Sequence, residues 1–251
     1  MIYSQSFVLI FSIFFIRIIL SSDIQIDLIR TDSLYQAGLH DQSFALTKKI
    51  YNQNSSNFEV IYRMARSIFI KAQNEKNNKK KMQYYYKGLK EAKKALQLAP
   101  NNGYANFWVA SYLGRIGELE GTKQSIINSY EVKKYALIAI ELEPEYDASY
   151  HMMGRWHYEL ANLNDIEKKI ASLVYTELPK GSYPEAVSFF KKAIQIRPNE
   201  IRHHFWLAKT YYAMGNKELS SKHFRIVNNL NSKDSEDRDF QIETIKYIKN
   251  L

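Results

Sequence analysis

The chain has 251 residues, no cysteine and a formal net charge of +9, from 35 Lys and Arg against 26 Asp and Glu. Without cysteine it has no disulfides and no thiol catalysis, and nine glycines and five prolines are too few for a turn-rich β fold. A hydrophobic fraction of 45% permits a continuous core, and the basic balance suits acidic partners or simply a solvated lysine-rich surface.

Residues 7–20 are apolar except for Ser12 and Arg17. Fourteen residues fall short of the roughly 20 that cross a bilayer, but they match the apolar part of a secretory signal. Residues 1–22 are therefore expected to be a signal peptide or a short membrane anchor, with a buried N-terminal helix as a third reading. No Lys or Arg precedes the run and Arg17 interrupts it, which weighs against a signal. Residues 23–251 are expected to form one helical repeat domain, opened by a single helix over 33–51.

Three matching stretches follow: Ala95-Leu96-Gln97-Leu98-Ala99-Pro100, Ala139-Ile140-Glu141-Leu142-Glu143-Pro144 and Ala193-Ile194-Gln195-Ile196-Arg197-Pro198. Each closes an apolar run of helical spacing with proline, which cannot continue a helix. The prolines stand 44 and 54 residues apart, neither constant nor the 34 of the tetratricopeptide repeat. The half-units do fit that repeat. First helices read Ile61-x2-Met64-Ala65, Asn106-x2-Val109-Ala110, Tyr150-x2-Met153-Gly154 and His204-x2-Leu207-Ala208, and second-helix matches begin at Gly88, Val132, Ala186 and Ser220. From the small residue to the second match there are 12 residues in the last unit but 23, 22 and 32 in the others. The extra residues therefore lie inside the units. About ten of them lengthen each of the first two helix pairs. The third pair carries an insert, 164–182, with an amphipathic stretch at 166–178 and Pro179-Lys180-Gly181-Ser182 as breaker and cap. Ala65, Ala110, Gly154 and Ala208 are expected where paired helices touch. Residues 235–248 are expected to form a helix that caps the last unit. The predicted fold is all-α, a superhelix of about four elongated helical hairpins plus this cap.

The order Leu113-Gly114-Arg115-Ile116-Gly117-Glu118-Leu119-Glu120-Gly121, Ala139 to Pro144, His151-Met152-Met153-Gly154-Arg155-Trp156, an insert with Ile170-Ala171, then Tyr183-Pro184-Glu185-Ala186 resembles the regulator of microtubule dynamics family. The resemblance covers roughly 57–230. It implies a tetratricopeptide-like fold, microtubule association and no known catalytic residues. Some animal members carry an N-terminal membrane segment and act at organelle membranes. If the leader here is cleaved on export, the mature chain does not meet cytosolic tubulin, and an exported or periplasmic envelope-assembly factor is the alternative reading.

Tetratricopeptide folds commonly bind extended peptides along the inner face of their first helices. That spacing places Tyr104, Phe107 and Arg115 there from the second unit, His151, Arg155, Tyr158 and Glu159 from the third, and Arg202, Phe205, Lys209 and Tyr212 from the fourth. Cations on rigid walls favour carboxylates, with Arg able to bind them bidentately. The set therefore suits an acidic or C-terminal carboxylate segment, and acidic tubulin tails fit physically. The alternative is ordinary repeat packing, with the cations paired to acids elsewhere in the fold. Lys76, Lys79, Lys80, Lys81, Lys87, Lys90, Lys93 and Lys94 surround Tyr84-Tyr85-Tyr86. They read as an anionic-lipid or nucleic-acid patch or, more plainly, as a solvated second helix whose one face they cover poorly. His203 and His204 point to different helix faces, and His151 and His157 are six apart, so neither pair makes a metal site. Glu118 and Glu120 do not face each other. Trp108, Trp156 and Trp206 recur once per unit, as packing. No nucleotide, hydrolase or metalloprotease motif occurs. The expectation is a non-enzymatic scaffold with a protein partner, no cofactor, no metal and no nucleic acid.

Overall fold

Three of the four second helices stop just before a proline, and five helices begin at an Asn or Ser whose side chain accepts a free amide. The computed structural model describes residues 24–174 and 179–249, so the leader expected over 1–22 lies outside the described residues. The helices are 24–36 (α1), His40–Gln53 (α2), Phe58–Asn74 (α3), Asn78–Leu98 (α4), Gly103–Glu120 (α5), Thr122–Leu142 (α6), Asp147–Ala161 (α7), Asp165–Val174 (α8), Tyr183–Ile196 (α9), Ile201–Ala213 (α10), Lys217–Asn229 (α11) and Ser235–Lys249 (α12). Among the described residues there is no strand, and no helix is long and apolar enough to cross a membrane.

Asn57, Asn77, Asn102, Ser182 and Asn216 each accept a backbone amide of the helix they precede. Each such cap typically stabilises a helix by about 1 kcal/mol. Four pairs result: α3 with α4, α5 with α6, α7 with α9, and α10 with α11. They stack in chain order because α4 also packs on α5, α6 on α7, and α9 on α10. The architecture is a tetratricopeptide-like helical superhelix. The last pair has helices of 13 residues each, whereas α3 to α6 have 17, 21, 18 and 21. The surplus thus adds roughly one turn to the first helices and two to the second. The insert forms α8, which packs on α6. The expected stretch 166–178 runs past Val174 beyond the described residues. Ser182 then caps α9, accepting from the Glu185 amide.

The single helix expected over 33–51 is in fact two. Gly38 adopts φ 74°, and the Leu39 amide bonds back to the Leu34 carbonyl at 2.9 Å. A left-handed residue ends a right-handed helix, and glycine adopts that conformation without steric cost. The chain therefore reverses. Ser43 donates to the Thr31 carbonyl at 2.9 Å, and Leu28 packs with Ile50 and Val60. The result is a leading hairpin, α1 with α2, against α3.

The small residues have the packing role their spacing implies. Ala65, Ala110 and Ala208 are fully buried, and a Cβ on Gly154 would stand 2.6 Å from the Phe190 ring. At Gly88 a Cβ would meet the Tyr112 hydroxyl at 2.0 Å. That hydroxyl donates to the Ala65 carbonyl at 2.5 Å, keying α5 into the first pair. Phe69, Tyr85, Trp108 and Tyr112 meet edge to face around it, an arrangement that adds to the area each ring buries. α12 lies on both α10 and α11. Its Phe240 stacks on Phe205 with ring centres 4.5 Å apart, so it takes the place of the first helix of a fifth pair.

Candidate functional site

The first helices α3, α5, α7 and α10 present a face whose charges come mainly from arginine. In α5, Arg115 pairs with Glu118 one turn on, at 2.9 Å. Glu118 also receives Arg155 from α7, at 2.9 Å, and Arg155 pairs with Glu159 at 3.1 Å. The Arg155 guanidinium lies 4.2 Å above the Trp206 ring of α10. Burial alone would raise the Glu118 pKa, but Arg155 and Arg115 outweigh it and hold the carboxyl at about 2. These contacts bring α5, α7 and α10 to one surface.

That surface is narrow. Arg115 reaches Glu236, the second residue of α12, at 3.4 Å, although α12 stands three helix pairs further along the stack. The Gly38 turn lies beside Lys233, where a Cβ would be 3.9 Å from its carbonyl oxygen. From α1, Tyr35 sits under the Arg66 guanidinium at 4.2 Å. The superhelix therefore curls until its first and last elements approach across the inner side.

A second cluster joins α7 to α10. Asp147, at the start of α7, accepts from His203 at 2.9 Å and lies 3.6 Å from both Arg202 and Arg197. Burial pushes its pKa up, but the His203 hydrogen bond and the two arginines win and hold it below the usual range. His203 in turn meets His151, Nδ1 to Nδ1, at 3.0 Å. One ring must donate and the other accept, so the accepting ring is neutral. Burial, and then each other's charge, drives the His151 pKa well below normal; His203 is lowered chiefly by burial. His204 faces the other way, pairing with His223 of α11 at 3.0 Å and the Pro198 carbonyl at 2.8 Å. Asp147, His203 and His151 form a line, not a chelate; among the described residues no three such ligands converge on one point.

The residues singled out from sequence separate into two groups. Arg115, His151, Arg155, Glu159 and Arg202 gather on the inner side. Phe205, Lys209 and Tyr212 instead face α12, through Phe240, Glu243 at 3.4 Å, and Tyr247. Phe107 packs against Trp108 and Tyr146, and Tyr158 against Trp206. Phe107, Tyr158 and Phe205 are at most 8% exposed and belong to the core. Tyr104 stacks between Tyr62 and Tyr146. Trp108, Trp156 and Trp206 are buried, and Glu120 turns away from Glu118 to accept from Tyr86. The spacing did not reveal the acids: Arg115, Arg155, Arg202 and Lys209 each have a carboxylate of this chain beside them. It also missed Asp32, which holds both Arg63 and Arg66, at 2.6 and 2.8 Å.

Comparison with known proteins agrees with this architecture. The family model described as regulator of microtubule dynamics protein 1-3 matches residues 28–251. The mouse regulator of microtubule dynamics protein 1 is 30% identical over 226 residues, spanning 89% of this chain and 73% of that one. Its bovine counterpart is 29% identical, spanning 88% and 70%. Among solved structures, a thermophilic tetratricopeptide-repeat protein of Thermus thermophilus superposes with a TM-score of 0.61 at 15% identity, covering 89% of this chain and 98% of that one.

Proposed function

This chain belongs to the regulator of microtubule dynamics family, and we propose that it is a non-enzymatic adaptor that holds an acidic protein segment. The partner its relatives' name suggests is the microtubule, whose acidic tubulin tails have the required chemistry, and a cytoplasmic chain fits that reading. Export through the N-terminal segment is the other reading, with an envelope partner in place of tubulin.

The observation that carries the proposal is how loosely α12 holds two cations of the first helices. Arg115 to Glu236 and Lys209 to Glu243 are both 3.4 Å, and both glutamates are more than 40% exposed. Pairs of this kind contribute at most about 1 kcal/mol. An incoming carboxylate can replace Glu236 or Glu243 without moving the helix, whose rings stay seated on Phe205 and Phe224. Arg155 and Arg202 continue the cationic line.

Arg155→Glu combined with Lys209→Glu is expected to weaken binding of a Glu-rich peptide at least tenfold, measured by fluorescence anisotropy. Unchanged affinity in a folded double variant sinks the inner-face reading.

A further inference from the structure

The chain's net charge is not spread over it. Residues 76–98 hold eight lysines against one glutamate, which is +7 of the total +9. They form α4 and the turn before it, on the outside of the first helix pair. The helix buries Tyr85, Gly88, Ala92 and Ala95, which leaves Lys79, Lys80, Tyr86, Lys87, Lys90 and Lys93 on the solvent side. They fall on one side of the helix along most of its length, so the lysines do share a helix face. The stripe is roughly 21 Å long at 1.5 Å per residue. Among the described residues none of these five lysines has an ion pair, in contrast with every inner cation discussed above. The glutamate of α4, Glu91, is occupied by the Tyr51 hydroxyl at 2.8 Å.

Folding alone does not favour this arrangement. The first turn of α4 has no acid and carries Lys79, Lys80 and Lys81 at the positive end of the helix dipole, a placement that costs a few tenths of a kcal/mol or more per charge. Lys87, Lys90 and Lys94 repel one another at spacings of three and four. Lys94 is offset by the Ser55 carbonyl and the Tyr51 ring, but on the rest of the stripe local rules broken without a compensating contact point to use by a partner. Beside the stripe runs a shallow groove of about 680 Å³ lined by Tyr51, Tyr86, Leu89, Lys90, Glu91, Lys93, Lys94 and Gln97. Its lining joins aromatic and aliphatic side chains to three lysines, and its one carboxylate, Glu91, accepts from the Tyr51 hydroxyl.

We infer that the outer face of α4, with this groove, is a second docking site, for an extended acidic polypeptide segment carrying an apolar side chain. A stripe of this length matches roughly six or seven extended residues. The groove sets apolar side chains beside lysines, which suits a peptide that carries an acidic run and an apolar side chain. The site is separate from the inner face and does not depend on carboxylate exchange there.

The probe is a fluorescent ten-residue Glu-rich peptide with one tyrosine, tested on the full chain at two salt concentrations. Lys87→Glu, Lys90→Glu and Lys93→Glu together are expected to lower affinity at least tenfold at low salt, with an unchanged circular dichroism spectrum. The corresponding Gln variant is expected to fall between. Unchanged peptide affinity in the triple variant overturns the site. So does loss of binding only to phosphatidylserine vesicles, which assigns the stripe to a membrane. If Arg155→Glu with Lys209→Glu weakens the peptide and the α4 variant does not, the inner-face reading stands and this one falls. The reverse result upholds this one alone.

Discussion

Asp147→Ala is expected to destabilise the fold by about 3 kcal/mol, the largest effect of any single polar substitution in the chain. Removing one partner of a buried charge cluster typically costs about 3–5 kcal/mol, because the remaining groups lose their compensation. Asp147 is 3% exposed and His203 is fully buried, so the imidazole would have no acceptor on its Nε2. The lower end of the range applies because Arg202 and Arg197 are 32% and 53% exposed and can regain water. Asp147 also stands in the first turn of α7, where a negative charge favours the helix dipole. Asp147→Asn keeps an oxygen for His203 and is expected to cost less than half as much. Urea unfolding of the three proteins measures this. An alanine variant as stable as the parent would show that the cluster holds nothing together.

Acidification from pH 6.5 to 4 is expected to lower the melting temperature more steeply than any comparable change from pH 8 to 6.5. Six histidines have pKa values depressed by burial: His40, His151, His157, His203, His204 and His223. His223 is pushed down to about 4, by burial and then by the His204 charge beside it. The unfolded chain therefore binds more protons than the fold throughout this window, and stability drops as the pH is lowered. Two of the pairs meet nitrogen to nitrogen at 3.0 Å, so a second proton on either pair brings two cations into contact across a helix boundary. The depressed carboxylates act lower: the contribution of Glu118 is lost progressively as pH falls from the ordinary carboxylate range to about 2. Asp237, raised chiefly by burial, works in the opposite sense. Calorimetric scans at pH 7.5, 6, 5 and 4 decide it, and a flat profile would contradict neutral buried imidazoles.

The hairpins were readable in the sequence because two local signals mark them. Pro100, Pro144 and Pro198 set the stop of the first three second helices, and Ala65, Ala110, Gly154 and Ala208 mark where first helices are crossed. The break within 33–51 was also marked, by Gly38, but the helical spacing on either side masked it. What spacing could not supply was the curl of the superhelix. Arg115 and Glu236 are 121 residues apart, and nothing local to either predicts that they meet. The same curl, together with α12, turned Phe205 and Tyr212 away from a free inner wall. Residues three apart on one helix share a face, yet Arg202 meets Asp147 while Phe205 lies beneath Phe240. The lysine stripe was visible in composition, and its register on α4 became clear only once the buried side was known.

Co-sedimentation of the full chain with assembled microtubules, before and after proteolytic removal of the acidic tubulin tails, bears most directly on the acidic-segment adaptor. Pelleting with intact microtubules, lost when the tails are cut and weakened by added salt, is the predicted result. Equal pelleting with tailless microtubules, or none with intact ones, would contradict it.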